Sequence, residues 1–119
     1  MKNMKYMSEA EVTTEFLQLL QKELPLIRVF RRSVGSFKTS GSYVTVEKAG
    51  RADYYALYPS DKNCLHIEIE IKKYGGTQTK EQALWEEFII DIKGLYCLVY
   101  PYNFETMIEK IKTYVGLVD

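Results

Sequence analysis

The chain has 119 residues, 16 basic and 16 acidic side chains, one His and a hydrophobic fraction of 46%. That length suits a single domain over 1–119 that buries roughly two-thirds of its unfolded surface, and the zero net charge argues against a protein that holds nucleic acid by bulk charge alone. No apolar run is long enough to span a bilayer, no apolar h-region follows the start, and the lone His with two widely spaced Cys speaks against a zinc or histidine-based metal site, so a cytoplasmic protein with reduced thiols is expected.

Ser8 and Glu11 have the S-x-x-E spacing of a capping box, which predicts a helix whose Val12, Phe16, Leu19 and Leu20 form one apolar face and which ends at Pro25. Glu11 and Glu15 lie one turn apart on the same side. Glu11 suits the helix dipole at the first turn, which leaves Glu15 the better placed to reach across a sheet edge. From Leu26 to Lys38 the apolar positions Ile27 and Val29 alternate, then change phase to Val34 and Phe37. They predict a strand with Arg28 and Arg32 on its polar face. A turn at Thr39–Ser42 leads into the β-branched and aromatic run Tyr43–Glu47, its hairpin partner. Between Lys22 and Arg51 seven basic side chains (Lys22, Arg28, Arg31, Arg32, Lys38, Lys48, Arg51) stand against two acidic ones (Glu23, Glu47). This excess reads either as a phosphate-facing patch or as a solvated hairpin.

Lys48–Arg51 breaks the hairpin, and Ala52–Leu57 is the next expected strand, with Asp53 near its start. Pro59–Asn63 is dense in turn formers. The most informative stretch follows, Cys64–Lys73, in which Leu65, Ile67, Ile69 and Ile71 alternate with His66, Glu68, Glu70 and Lys72. A strand this rich in isoleucine belongs in a buried sheet, where a carboxylate needs a cation, a donor or a metal against its desolvation. Glu70 and Lys72 share a face about 7 Å apart, and with Asp53 on the preceding strand they are competent to hold a hard cation beside a hydrolytic water. Glu68 points the same way and is read as the partner of a Lys or Arg rather than as a third metal acid. His66 is read as a partly exposed strand residue.

Tyr74-Gly75-Gly76 ends that strand, and Thr79 with Gln82 repeats the capping-box spacing. The helix it opens is expected to bury Trp85, Phe88, Ile89 and Ile92 on one stripe, with Gly94 as its cap. Leu95–Tyr100 is a last buried strand, and Asn103 caps a final helix with Phe104, Met107, Ile108, Ile111 and Val115 inward. Cys64 and Cys97 are expected in the core. The long crossover after Lys73 favours a parallel partner strand, so the fold class is α/β with a mixed sheet.

The order Gly50–Asp53 (G-x-x-D), Glu70–Lys72 (E-x-K), Gln82 opening a helix and a strand after Gly94 resembles the PD-(D/E)xK nuclease superfamily. Within it the short, stand-alone VRR-NUC domains of phage and bacterial type are the most similar. Their acid on an early helix matches Glu11 or Glu15, their R-x-x-x-G matches Arg31 or Arg32 with Gly35, and their S/T-x-E-Q matches Thr79–Gln82, in order over about nine-tenths of the chain. Glu68 departs from the family pattern, which has a small or apolar residue there.

The resemblance implies a restriction-endonuclease-like core, a mixed β-sheet flanked by helices in the order α-β-β-β-α-β-α. It implies Mg²⁺ or Mn²⁺ held by Asp53, Glu70 and the Ile71 carbonyl, with Glu15 for a second ion. Lys72 orients the attacking water, Gln82 bonds that water or a DNA phosphate, and Arg31, Arg32, Lys38, Arg51 and Lys73 face the DNA backbone. The activity it implies is a metal-dependent, structure-selective DNA endonuclease, extending to a homodimeric Holliday-junction resolvase acting on branched DNA. The alternative keeps the scaffold and discards catalysis, leaving a DNA- or protein-binding module.

Overall fold

Ile67, Ile69 and Ile71 turn one face of a single strand entirely inward, and the rest of the chain is arranged around that strand. The molecule is known from a computed structural model that describes residues 3–32, 36–39, 42–45, 50–60 and 63–118. A short 3₁₀ turn at Met4–Tyr6 precedes α1 (Glu9–Glu23), β1 (Arg28–Arg31), β2 (Ser36–Thr39) and β3 (Ser42–Thr45). These lead to β4 (Tyr54–Pro59), β5 (Cys64–Ile71), α2 (Lys80–Asp91), β6 (Leu95–Val99) and α3 (Phe104–Tyr114). Four strands form a mixed sheet in the order β1-β4-β5-β6, while β2 and β3 pair separately as an antiparallel ribbon. β1, β4 and β5 are antiparallel neighbours, and β6, reached by the α2 crossover, runs parallel to β5. The chain is thus α/β, a four-stranded mixed sheet flanked by helices.

The expected strand Leu26–Lys38 is divided. β1 pairs with β4 and β2 with β3, and the division falls at the change of apolar phase after Val29. Gly35, Glu47 and Lys48 lie outside the described residues. Lys38 stands in β2 opposite Tyr43.

The isoleucine face of β5 meets Val12, Phe16 and Leu20 of α1 and Ile108 and Ile111 of α3, with the Phe16 and Phe104 rings 5.4 Å apart. Each such aliphatic or aromatic side chain contributes about 1.5–3 kcal/mol by leaving water. The capping box predicted at Ser8 and Glu11 is formed in both directions. The opposite face of the sheet is covered by α2 through a smaller cluster, Ala52, Ile89 and Tyr96 with Trp85 and Leu98 against it.

Three expectations are corrected by this arrangement. α2 buries only Ile89 completely. Phe88 and Ile92 are 48% and 56% exposed, because α2 packs chiefly against the edge strand β6 and its outer side stays open among the described residues. Cys64, at the first position of β5, is exposed, whereas Cys97 is buried and its thiol is pushed up to about 12 by desolvation. Asn103 makes no side-chain cap on α3. Its Oδ1 accepts from Tyr100 N at 2.8 Å and its Nδ2 donates to Leu98 O at 3.0 Å, which ties the end of β6 to the start of the helix.

Two glycines are dictated by close approach. At the end of α2 the left-handed residue is Lys93 (φ 69°), and Gly94 is needed because a Cβ there would stand 2.9 Å from Ile89 Cγ2. Gly50 combines a φ of 90° with a packing contact, since its Cβ would fall 2.6 Å from the backbone of Glu81 in the first turn of α2. The Gly50→Ala variant is expected to lose about 1–3 kcal/mol through left-handed strain and this collision, measured as a lower urea midpoint. A midpoint equal to wild type would show that the segment before Asp53 does not depend on contact with α2.

Candidate functional site

Because β5 is pleated, Glu68 and Glu70 leave the sheet on the side opposite the isoleucines, toward α2. The antiparallel register sets Tyr55 opposite Glu68 and Tyr54 opposite Ile69, which brings Asp53, one residue before β4, level with Glu70. The Asp53 carboxyl lies close enough for its charge to act on that of Glu70. Glu70 is 1% exposed, and its carboxyl is pushed up to about 8, first by desolvation and then by the charge of Asp53, with Lys72 acting in the opposite sense. Its Oε2 lies 3.9 Å from Lys72 Nζ, and its Oε1 is buried with no hydrogen-bond partner.

Lys72 is held from its other side. Its Nζ donates to Gln82 Oε1 at 2.9 Å, and the same oxygen accepts from Thr79 N at 2.8 Å. Gln82 therefore closes the α2 capping box and grips the lysine at once, so its two sequence readings hold together.

The helix acid whose charge reaches Glu70 is Glu9, at the first residue of α1. Glu9 and Asp53 line one cleft of about 310 Å³ with Ala10, Thr13, Arg31, Arg32 and Tyr54. Glu11 is engaged by the Ser8 cap, and Glu15 lies exposed in a separate surface recess with Ala10, Glu11 and Thr14. Neither is brought to the Asp53–Glu70 pair.

Beside this pair sits a second, different carboxylate. Glu68 is fully buried, and its Oε1 accepts from Arg32 Nη1 and from Trp85 Nε1, both at 2.6 Å. Its Oε2 accepts from Arg32 Nη2 at 2.9 Å and stands 2.5 Å from His66 Nε2. Desolvation raises its pKa, but the hydrogen bonds from His66, Arg32 and Trp85 and the charge of Arg32 outweigh it and bring the carboxyl down to about 2. This is the ion pair read from the sequence, with Arg32 as the partner.

Arg32 is thereby taken out of the expected phosphate-facing set, since its side chain is 8% exposed and saturated from within. Its Nη1 also donates to Ala52 O at 3.0 Å and its backbone N to Asp53 O at 2.8 Å, so it fixes the segment that carries Asp53. Arg51 is half-buried, its guanidinium 5.0 Å from the Trp85 ring. Arg31 and Lys73 are exposed, Arg31 on the wall of the cleft and Lys73 just beyond β5.

Among the described residues no group of three or more His, Cys, Asp or Glu side chains converges as a metal cage. The donor set suits a different kind of ion. Two carboxyls forced together, one of their oxygens buried without a donor, and the backbone of Ile71 next in the strand fit a small hard cation that keeps several of its waters. Glu9 and the indole N–H of Trp85 were missed by sequence reasoning. A first-turn acid two residues before Glu11 was the only signal for the former, and none marked the latter.

The Glu68 network sets an acid limit on stability. Its folded pKa lies below the ordinary 4.5, so its contribution is fully present above about pH 4.5 and is lost as the pH falls toward about 2. Replacing Glu68 by Gln leaves the Arg32 charge buried without its counter-ion and is expected to cost about 3–5 kcal/mol at pH 7. In urea titrations from pH 7 to pH 3 the gap between Glu68→Gln and wild type should narrow below pH 4.5. A gap that is constant with pH would show that ionised Glu68 is not the stabilising species. Compared with known proteins, the chain matches no family model, no curated protein and no solved structure.

Proposed function

We propose that this chain is a metal-dependent DNA endonuclease with a PD-(D/E)xK core of the VRR-NUC kind. The observation that carries the reading is the buried Glu70 carboxyl beside the exposed Asp53, with Lys72 Nζ 3.9 Å from Glu70 and clamped by Gln82. Competent residue types stand together there, drawn from three separate segments in the order of the G-x-x-D, E-x-K and T-x-E-Q motifs.

In this reading Asp53, Glu70 and the Ile71 carbonyl hold Mg²⁺ or Mn²⁺. The bound ion supplies Lewis-acid charge at the scissile phosphate and its attacking water. Lys72, a compact point charge, orients that water and stabilises the charge that builds on the phosphate oxygens. Gln82 keeps the lysine from collapsing onto Glu70 and presents its amide N–H₂ to water or phosphate. Arg31, on the wall of the acidic cleft, and Lys73 offer charge to neighbouring phosphates. Glu9, rather than Glu15, is the α1 carboxylate near enough to act on a second ion's water shell. Hydrolysis leaves a 5′-phosphate and a 3′-hydroxyl, and the water proton is released to solvent.

Branched DNA is the proposed substrate, and a homodimer is the proposed form, since two symmetric nicks resolve a four-way junction. The apolar side chains Leu84, Phe88 and Ile92, exposed at helical spacing on α2, support a self-associating surface.

Cleavage of a labelled panel (four-way junction, flap, splayed arm, linear duplex, single strand) in Mg²⁺ or Mn²⁺ tests the activity. Asp53→Ala and Lys72→Ala should each lower the rate about 10²-fold or more. A wild type that binds these DNAs and cuts none of them would leave only the binding-module alternative.

The metal has its own test. Glu70 holds a proton below about pH 8, so a cation must displace it, and affinity should rise with pH up to that value. Calorimetry with Mn²⁺ in buffers of different ionisation enthalpy should detect about one proton released per ion near pH 7. Binding without proton release would place the ion elsewhere.

A further inference from the structure

Past Glu70 and Lys72 the strands β5 and β6 run out into a group of tyrosines at their carboxyl ends. The parallel register pairs Glu70 with Leu98 and Ile71 with Val99, and Lys72 N donates to Val99 O at 2.8 Å. The next residue of that chain, Tyr100, therefore stands beside Lys72 at about one strand spacing, 4.8 Å. By the same alternation it continues the row of Tyr96 and Leu98 and lies on the Glu70 side of the sheet.

Tyr100 is immobilised. Its N donates to Asn103 Oδ1 at 2.8 Å and its hydroxyl to Gly76 O at 2.9 Å. Tyr102 lies on it almost parallel, with centroids 5.1 Å apart and planes at 10°. Tyr74 meets Tyr102 edge-on at 5.9 Å and 79°, and Lys5 Nζ lies 5.9 Å from the centre of the Tyr74 ring. Tyr102 is nonetheless 57% exposed. A ring that is stacked on a fixed ring and open on its outer side has already lost its rotational freedom, so another flat ring can settle on it at little entropic cost. Lys5 Nζ stands over the neighbouring Tyr74 ring, and the exposed Lys73 directly precedes Tyr74 in the chain, so the positive charge nearby suits a ring carried on a phosphate chain rather than an apolar protein side chain.

We infer that Tyr102, backed by Tyr100 and flanked by Tyr74, is a stacking site for an unpaired DNA base adjacent to the phosphate held at Lys72. The identification of the strand as DNA rests on the nuclease reading; the stacking geometry does not. Bases inside a duplex have both faces covered by their neighbours, whereas an unpaired base offers one. The platform thus favours DNA with a single-stranded arm or an open branch point over blunt duplex, and it does so without reading sequence, because every base has a π-face.

The test is equilibrium binding without divalent cation, so that cleavage plays no part. The probes are a splayed-arm duplex carrying 2-aminopurine in its single-stranded arm and a blunt duplex of equal length. Wild type should bind the splayed arm more tightly and quench the 2-aminopurine. In Tyr102→Ala the ratio of splayed-arm to blunt-duplex affinity should drop about tenfold and the quenching should disappear, while Tyr102→Phe retains both. Equal losses on both DNAs, no loss on either, or a wild type that binds neither would each overturn the stacking site. Cleavage that proceeds with no dependence on Tyr102 would overturn the stacking site alone. Tyr102-dependent binding by a wild type that does not cut would overturn the nuclease reading alone.

Discussion

The contact on which this site depends is the buried ion pair between Arg32 and Glu68. The guanidinium takes both oxygens of the carboxylate, and through its remaining donors and its own backbone it holds Ala52 O and Asp53 O. Trp85 donates to the same carboxylate and so draws α2 against the sheet. The position of Asp53 and the position of the helix that carries Gln82 are therefore both referred to one carboxylate on β5. A buried pair of this kind adds little net stability over an apolar substitute, but breaking it is costly, and that asymmetry makes it a device for fixing geometry.

Glu68 and Glu70 show how environment alone assigns two identical side chains to different tasks. They are two residues apart on one face of one strand, both are shut off from solvent, and desolvation is the largest influence on each. Glu68 then meets a guanidinium, an indole N–H and an imidazole, and it is ionised at any neutral pH. Glu70 meets another carboxyl, and the Lys72 cation that acts against it is 3.9 Å away and already engaged by Gln82. The first carboxylate is completed by the protein, while the second remains one positive charge short.

How much of this was legible in the sequence follows from the range of each interaction. The alternation in Cys64–Lys73 and the capping boxes at Ser8 and Thr79 are local, and both appear as read. The parallel β5–β6 pair followed from the length of the crossover. The Glu68 ion pair was legible as a need, because a carboxylate on a buried face requires a cation, but its partner lies 36 residues away and several arginines were candidates. Glu9 was passed over because the choice among the acids of α1 depends on how the helix is rotated and where its first turn meets the sheet. Periodicity fixes which residues share a side but not what lies opposite them. The same limit explains α2, whose apolar stripe is real although Phe88 and Ile92 on it stay about half exposed.

The zero net charge, which argued against nucleic acid at the outset, takes on a different meaning once the charges are placed. Glu9, Asp53 and Glu70 gather at one end of the sheet, and their mutual repulsion is part of what raises Glu70. A phosphate approaching that end without a cation meets like charge, while Lys72, Lys73 and Arg31 at its margins attract it. Under the nuclease reading a divalent ion that replaces the Glu70 proton removes one unit of negative charge from the centre and presents a cation to the phosphate, while the margins stay as they were. Under the nuclease reading the cation and the DNA backbone therefore favour each other's binding, since each supplies the counter-charge the other lacks. A strongly basic surface would hold DNA equally well with or without the metal; a neutral chain with a protonated Glu70 holds it more weakly until the ion is in place.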